Sequence, residues 1–265
     1  MPIDPAHDPS LEPSTAPRDL FDRNRRAIRR GQQRGAEDYF GNQMADMLLE
    51  RLAEVKRDFA DILLIGARNS ALIAHVHHLA ISQGGRATII EPSRFLAQGC
   101  GAQVADEDHL PVEPASYDLI LWPGGLESVN DVPGALLRCR FALRADGLLL
   151  GCFIGGGSFP ALRSALAAAD GTRAVARMHP QIDVRAAGDL LGQCGLALGV
   201  ADAEQLVLAY RALDPLISDV RAAALTNMLA GPLYPLHRTA WAAARSQFAA
   251  AAGAAGRTHE RVTII

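Results

Sequence analysis

The chain has 265 residues, 49% hydrophobic and 21% charged, with a formal net charge of −3. That balance supports one full core and excludes general disorder. No apolar run reaches the roughly 18 residues of a membrane span, and Met1-Pro2-Ile3-Asp4-Pro5 lacks the basic start and apolar middle of a secretory signal, so a cytoplasmic protein without stable membrane insertion is expected.

Residues 1–19 carry five prolines among small and acidic residues and read as a mobile tail before a domain over 20–265. Residues 20–60 read as an N-terminal helical segment. Its first part, Arg23 to Arg34, concentrates arginine and reads either as an anion or partner-protein surface or as a solvated helical face. Its second part, with Met44, Met47, Leu48, Leu52 and Val55, has the period of an amphipathic helix.

From residue 61 to 210 short apolar runs alternate with helical stretches, the pattern of a parallel βαβ core. Strands are expected at 61–66, 87–92, 117–122 and 148–154, and helices at 69–82, 132–143, 159–169 and 184–194. Asp146-Gly147 reads as a turn and Gly195 as a helix stop. Residues 196–210 fit one or two strands. A helical insertion, with helices over 213–230 and 238–252, then precedes a last strand at 261–265.

Ligands of such sheets bind outside the carboxyl ends of the strands, which directs attention to the residues just after each one. Gly66 opens the turn after the first strand and lets a ligand approach the backbone, with Ala67 beside it. Glu91 ends the second strand, twenty-five residues after Gly66 and before Pro92, where a carboxylate accepts from both ribose hydroxyls. After the third strand, Asp106 and Glu107 offer carboxylates to an exocyclic amine. Each of these also reads as a loop acid or a turn residue.

Other groups carry less. His75 and His78 share a helix face without an accompanying carboxylate or cysteine, so no metal site is expected. Cys100, Cys139, Cys152 and Cys194 form no CxxC pair. Ser158 is not in a GxSxG elbow. All 26 basic residues except Lys56 are arginine, a bias read as GC-rich bacterial coding and not as a nucleic-acid signal. It leaves a Schiff-base or P-loop enzyme only Lys56 to use.

Taken together, strand-Gly66, strand-Glu91, Asp106 before Leu110-Pro111, Ser116 to Ile120, Val129-Asn130-Asp131 and Leu143 to Gly147 make the chain similar to the class I S-adenosylmethionine-dependent methyltransferases. Within them it resembles the group of the biotin-synthesis malonyl-carrier-protein methyltransferase and the complex I assembly factors. That likeness rests on Leu20-Phe21-Asp22-Arg23, Gly155 to Phe159, His179-Pro180, Asp183-Val184-Arg185, Val200-Ala201-Asp202, Asp219 to Ala222 and Thr226-Asn227.

The resemblance implies an α/β Rossmann-like seven-stranded sheet with flanking helices. It implies S-adenosylmethionine lying across Gly66, Ala67, Glu91, Pro92, Asp106 and Glu107, and a methyl acceptor that is a small molecule or a protein. Asp131 and His179 are its candidate bases, each with a reading as a helix cap or loop partner. The chain departs from the family pattern at Leu64, where an acid holds the cofactor's amino group through water. It departs again at Ser70 in the glycine turn, and at Glu127 and Ser128 in place of a His-Trp pair. Losing one such contact weakens binding by about 1–3 kcal/mol. The alternatives are a non-catalytic assembly or scaffold protein and, as in some relatives, hydroxylation of an arginine on a partner. DNA binding is not expected from an acidic chain with few aromatics among its basic residues.

Overall fold

The computed structural model describes residues 19–32, 37–196 and 199–265. The expected tail lies outside them except for Asp19, as does Arg34. Arg23–Gly31 forms α1 and Tyr39–Glu54 forms α2. Asp22 accepts from the Arg25 amide and Asp38 from the Gly41 amide, each satisfying a first-turn N–H that the helix leaves unpaired. Asn69, Ser93 and Asp131 do the same for α3 (Ser70–Ser82), α4 (Arg94–Cys100) and α5 (Val132–Ala142).

These helices alternate with β1 (Ile62–Ile65), β2 (Ala87–Glu91), β3 (Gln103–Val104), β4 (Tyr117–Pro123) and β5 (Leu143–Cys152), all parallel in the order β3-β2-β1-β4-β5. Strands covered on both faces need apolar side chains on both. Accordingly Leu63, Ile65, Ile120 and Trp122 pack toward α5 while Ile62, Leu64, Leu119 and Leu121 pack toward α2 and α3. The winding reverses between β1 and β4, which opens a crevice at their carboxyl ends.

The second half adds α6 (Pro160–Asp170), α7 (Val184–Gln193), β6 (Glu204–Tyr210), α8 (Leu213–Ala222), α9 (Arg238–Ala250) and β7 (Thr258–Ile264). A third apolar cluster joins α6, α8, α9 and β7 to Phe40, Met44 and Leu48 of α2.

Seven strands are present among the described residues, but not in one continuous ladder. β6 and β7 form their own antiparallel pair. They meet the five-stranded sheet where Ile154 bridges Ile264 and where Phe153 and Ile265 exchange backbone hydrogen bonds of 2.9 and 3.0 Å. The turn expected at Asp146-Gly147 lies inside β5, whose pairing slips between Tyr117–Leu143 and Leu119–Leu148, with Asp146 at φ +62°. A bulge absorbs the extra residues without ending the strand. Residues 199–210 give one strand. The helix expected to run to residue 230 stops at Ala222, because Ala224 turns left-handed at φ +53° and the Leu225 amide bonds back to the Val220 carbonyl. No described helix is long and apolar enough to cross a membrane, and the described residues hold no group of three or more His, Cys, Asp or Glu placed to bind a metal.

Candidate functional site

The crevice between β1 and β4 gathers most of the residues singled out above. Gly66 leaves β1 at φ +104°, a conformation open to glycine, and its amide donates to the Ile90 carbonyl at 2.7 Å. The Ala67 amide donates to Glu91 Oε2 at 2.8 Å and the Ser93 amide to Oε1 at 2.9 Å, with Pro92 buried between them. Asp106 opens the 3-10 turn at 107–109, accepting from the Asp108 amide, and Glu107 in that turn is buried.

Sequence reasoning did not foresee what fills the crevice. Arg23, Arg26 and Arg30, one face of α1 at spacings of three and four, point into it. Arg30 Nε donates to Glu91 Oε1 at 2.7 Å and Nη2 to Oε2 at 2.5 Å, a two-pronged pair on a carboxylate with no exposure. Arg26 donates to Glu107 Oε1 at 2.5 Å and to Ser128 Oγ at 2.8 Å. Arg23 reaches Asp106 at 2.9 Å, Glu107 at 2.8 Å, Asp108 at 3.1 Å and the Ser128 carbonyl. The segment expected to be an outward partner surface or a solvated face therefore turns Arg26 and Arg30 inward, 1% and 5% exposed. Buried acids at the strand ends draw them there, since a buried carboxylate is costly unless paired.

The electrostatics follow from this pairing. Burial opposes ionisation of Glu91, yet the Arg30 charge and hydrogen bond with the Ala67 and Ser93 amides hold it down at about 2. Burial also opposes the Arg30 charge, but Glu91 raises that group above its ordinary value. Arg26 is drawn below its ordinary value by burial, with Glu107 opposing, and its Nη1 has no hydrogen-bond partner among the described residues.

Little room is left. The cavity lined by Arg26, Arg30, Arg68, Gly124, Gly125 and Glu127 is about 30 Å³, against the 300–1,000 Å³ or so of ordinary ligand clefts. A Cβ at Gly66 would stand 3.2 Å from Arg30 Nη2, and one at Gly125 would collide with Arg26 Nη2.

Arg68 was also overlooked. It follows Ala67 in the turn where a backbone would approach a ligand, and its side chain crosses to Asp38 at 2.5 Å and the Ala222 carbonyl at 2.6 Å. Leu64 is a core residue, Ser70 is exposed, and Ser128 is buried with its hydroxyl bonded to the Gly125 carbonyl.

Beside the crevice lies a larger cavity of about 330 Å³, walled by Ile154, Phe159, Leu162, Val220 and Trp241 and reached by Arg29, Glu127 and His179. Glu127 lines both cavities. Burial pushes its carboxyl up from the ordinary value. Burial and then the Arg26 charge hold His179 down to about 4, and its Nε2 accepts from the Met228 amide at 2.9 Å. Asp131, the other candidate base, caps α5 by accepting from the Gly134 amide. Ser158 is structural: its hydroxyl donates to the Gly155 carbonyl and accepts from the Thr263 amide.

No family model matches the chain. Among curated proteins it is similar to the mouse arginine-hydroxylase NDUFAF5, mitochondrial, with 26% identity over 89% of this chain and 73% of that one. It is similar to the malonyl-[acyl-carrier protein] O-methyltransferase of Gallionella capsiferriformans, with 27% identity over 78% of this chain and 77% of that one. Of solved structures, the YcgJ protein from Bacillus subtilis superposes with a TM-score of 0.51 at 12% identity, covering 84% of this chain and 97% of that chain. A putative methyltransferase from Bacillus halodurans gives 0.51 at 9% identity, covering 83% and 94%.

Proposed function

For a chain that belongs to the class I S-adenosylmethionine-dependent methyltransferase superfamily, we propose a bacterial cytoplasmic methyltransferase-like protein. Its cofactor cradle is Gly66, Ala67, Glu91, Pro92, Asp106 and Glu107, and its acceptor is a small molecule or a protein side chain. What supports this reading is the placement of Glu91: an ionised carboxylate at the end of β2, tied to the Ala67 amide, at the edge of the crevice where strand order reverses. The 330 Å³ cavity adjoining it is the natural acceptor side, with Glu127 as its proton-handling group, while His179, whose Nε2 lone pair is taken by the Met228 amide, holds the wall.

As α1 lies, the cofactor does not fit. Both Glu91 oxygens already accept two donors each, and the crevice is filled by guanidinium groups. When bound, S-adenosylmethionine supplies an electrophilic methyl group; this chain's part would be to position an acceptor and exclude water.

Isothermal titration with S-adenosylmethionine and its demethylated product tests the reading. Binding is expected, weakened about tenfold or more by Glu91→Ala even though that substitution also releases Arg30. No heat at about millimolar ligand would sink it.

A second reading, a non-catalytic protein that uses the fold to hold a partner, draws on the same pairing of carboxylates with the chain's own arginines and on Arg68 in the turn. The outward face of α1, with Asn24 and Ile28 exposed, and the insertion over 213–252 would carry the contact. A pulled-down partner retained by Glu91→Ala but lost with residues 20–35 supports it, and methyl transfer abolished by Glu91→Ala defeats it.

A further inference from the structure

We infer that α1 is a reversible intramolecular plug: its Arg26 and Arg30 occupy the polar positions of the crevice that a nucleoside ligand would need, and ligand binding requires the helix to swing out. This rests on the cofactor reading above and deepens it by naming what controls access to the site.

The first ground is how α1 is held. A helix that belongs to a core buries an apolar stripe, but the buried side chains of α1 are Arg26 and Arg30, and Ile28 stands 59% exposed. Its docking is therefore ionic. Withdrawing the helix alone would leave Glu91 and Glu107 without their guanidinium partners, which is costly. A ligand that donates hydrogen bonds to the same carboxylates removes that cost and so competes directly with the helix.

The second ground is the one-to-one replacement of roles. Arg30 supplies two donors to Glu91, as a pair of vicinal hydroxyls would. Arg26 lies against Gly125, and Arg30 against Gly66, the two glycines whose missing side chains leave space at the strand ends. Among the described residues Arg26 Nη1 has no partner, which marks an imperfect fit.

The third ground is the mount. The start of α1 is fixed by backbone and amide bonds: the Phe21 amide donates to Asn130 Oδ1 at 2.8 Å, Asn130 Nδ2 to the Phe21 carbonyl at 3.1 Å, and the Asp22 amide to the Met228 carbonyl at 2.9 Å. Its far end rests on α4, with the position of a Gly31 Cβ 3.8 Å from Ser93 Cβ. Phe21 is the pivot, and Arg30 with Gly31 is the end that moves.

The distance at Gly31 provides the decisive test, because about 3.8 Å between Cβ atoms suits a disulfide. The full chain carrying Gly31→Cys and Ser93→Cys is titrated with S-adenosylmethionine, oxidised and reduced, beside wild type and Arg26→Gln/Arg30→Gln, with circular dichroism confirming the fold of each. Expected are at least tenfold tighter binding by the arginine variant than by wild type, loss of binding in the oxidised cysteine variant, and recovery on reduction. Should the arginine variant fail to fold, the redox pair alone decides. Equal affinity in the oxidised and reduced forms overturns the plug while leaving the cofactor site standing. No binding by any form, with the arginine variant folded, overturns the cofactor reading and the plug with it.

Discussion

At the residue scale, buried Glu91 and Glu127 and half-buried His179 contribute to how the protein responds to acid. His179 is held at about 4 against an ordinary 6.5, so its neutral form is favoured in the fold. The stability this represents is complete above pH 6.5 and is lost as pH falls from 6.5 toward 4. Glu91, at about 2 against 4.5, acts in the same direction over the next interval, from 4.5 down to 2. That shift corresponds to about 3 kcal/mol. Glu127, raised by burial, has the opposite sign: it favours the fold while protonated and weighs against it as pH rises past its unfolded value. Urea denaturation across pH 3 to 8 checks this. The wild type loses stability in two stages, and His179→Gln is expected to flatten the upper one while leaving the lower. A single stage unaffected by His179→Gln would contradict the assignment. The positions of Glu91 and Gly66 at strand ends were legible in the sequence, because the apolar runs before them mark where β2 and β1 stop. The arginines opposite them were not, since Arg30 and Glu91 lie 61 positions apart and Arg26 and Glu107 lie 81 apart. The spacing of Arg23, Arg26 and Arg30 announces a face but not what it meets.

At the element scale, what could be read was whatever a helix or strand does with its own residues. Asp22, Asp38, Asn69, Ser93, Asp131 and Asp183 each cap the helix they precede, as short polar side chains do. Helices α6, α8 and α9 have no such side-chain cap, and α6 takes its acceptor from a distant strand. Phe159 before α6 sits at φ +60° and offers no oxygen. Glu260 of β7, nearly a hundred residues later, accepts from the Ala161 and Leu162 amides at 3.2 and 2.8 Å. Glu260 has no exposure, and burial raises its carboxyl above the ordinary range. Glu260→Ala leaves the first turn of α6 without its acceptor and is expected to destabilise the protein by about 1–3 kcal/mol. Denaturant titration measures this, and an unchanged midpoint would show that water replaces the carboxylate fully. The slipped pairing inside β5 was hidden for a related reason: Asp146-Gly147 carries local turn chemistry, but continued pairing of Leu148 to Leu150 with β4 keeps the strand intact.

At the scale of the whole molecule, the fold consists of a five-stranded parallel sheet and a smaller unit in which β6 and β7 pack with α6, α8 and α9. The βαβ alternation made the first legible. The division did not show in the sequence, because residues 261–265 read as one more β-rich strand, and only the register of β7 reveals that it pairs with β6 and meets the end of the large sheet through the segment from Phe153 to Phe159. Ile264 sits at this junction with no exposure, in the cluster that holds Ile154, Phe159, Leu162 and Phe248. Ile264→Ala is therefore expected to cost about 2–5 kcal/mol and to act unevenly. Hydrogen exchange should accelerate first in β7, α6 and α9, while β1 and β4, buried on both faces within their own clusters, keep their protection until global unfolding. Because the cavity beside the crevice is walled by this smaller unit through Leu162, Val220 and Trp241, the same substitution should loosen whatever the protein holds there before it loosens the sheet. Uniform acceleration across all amides would mean that the two units unfold as one, and that the junction at Ile154 and Ile264 couples them as firmly as a continuous ladder.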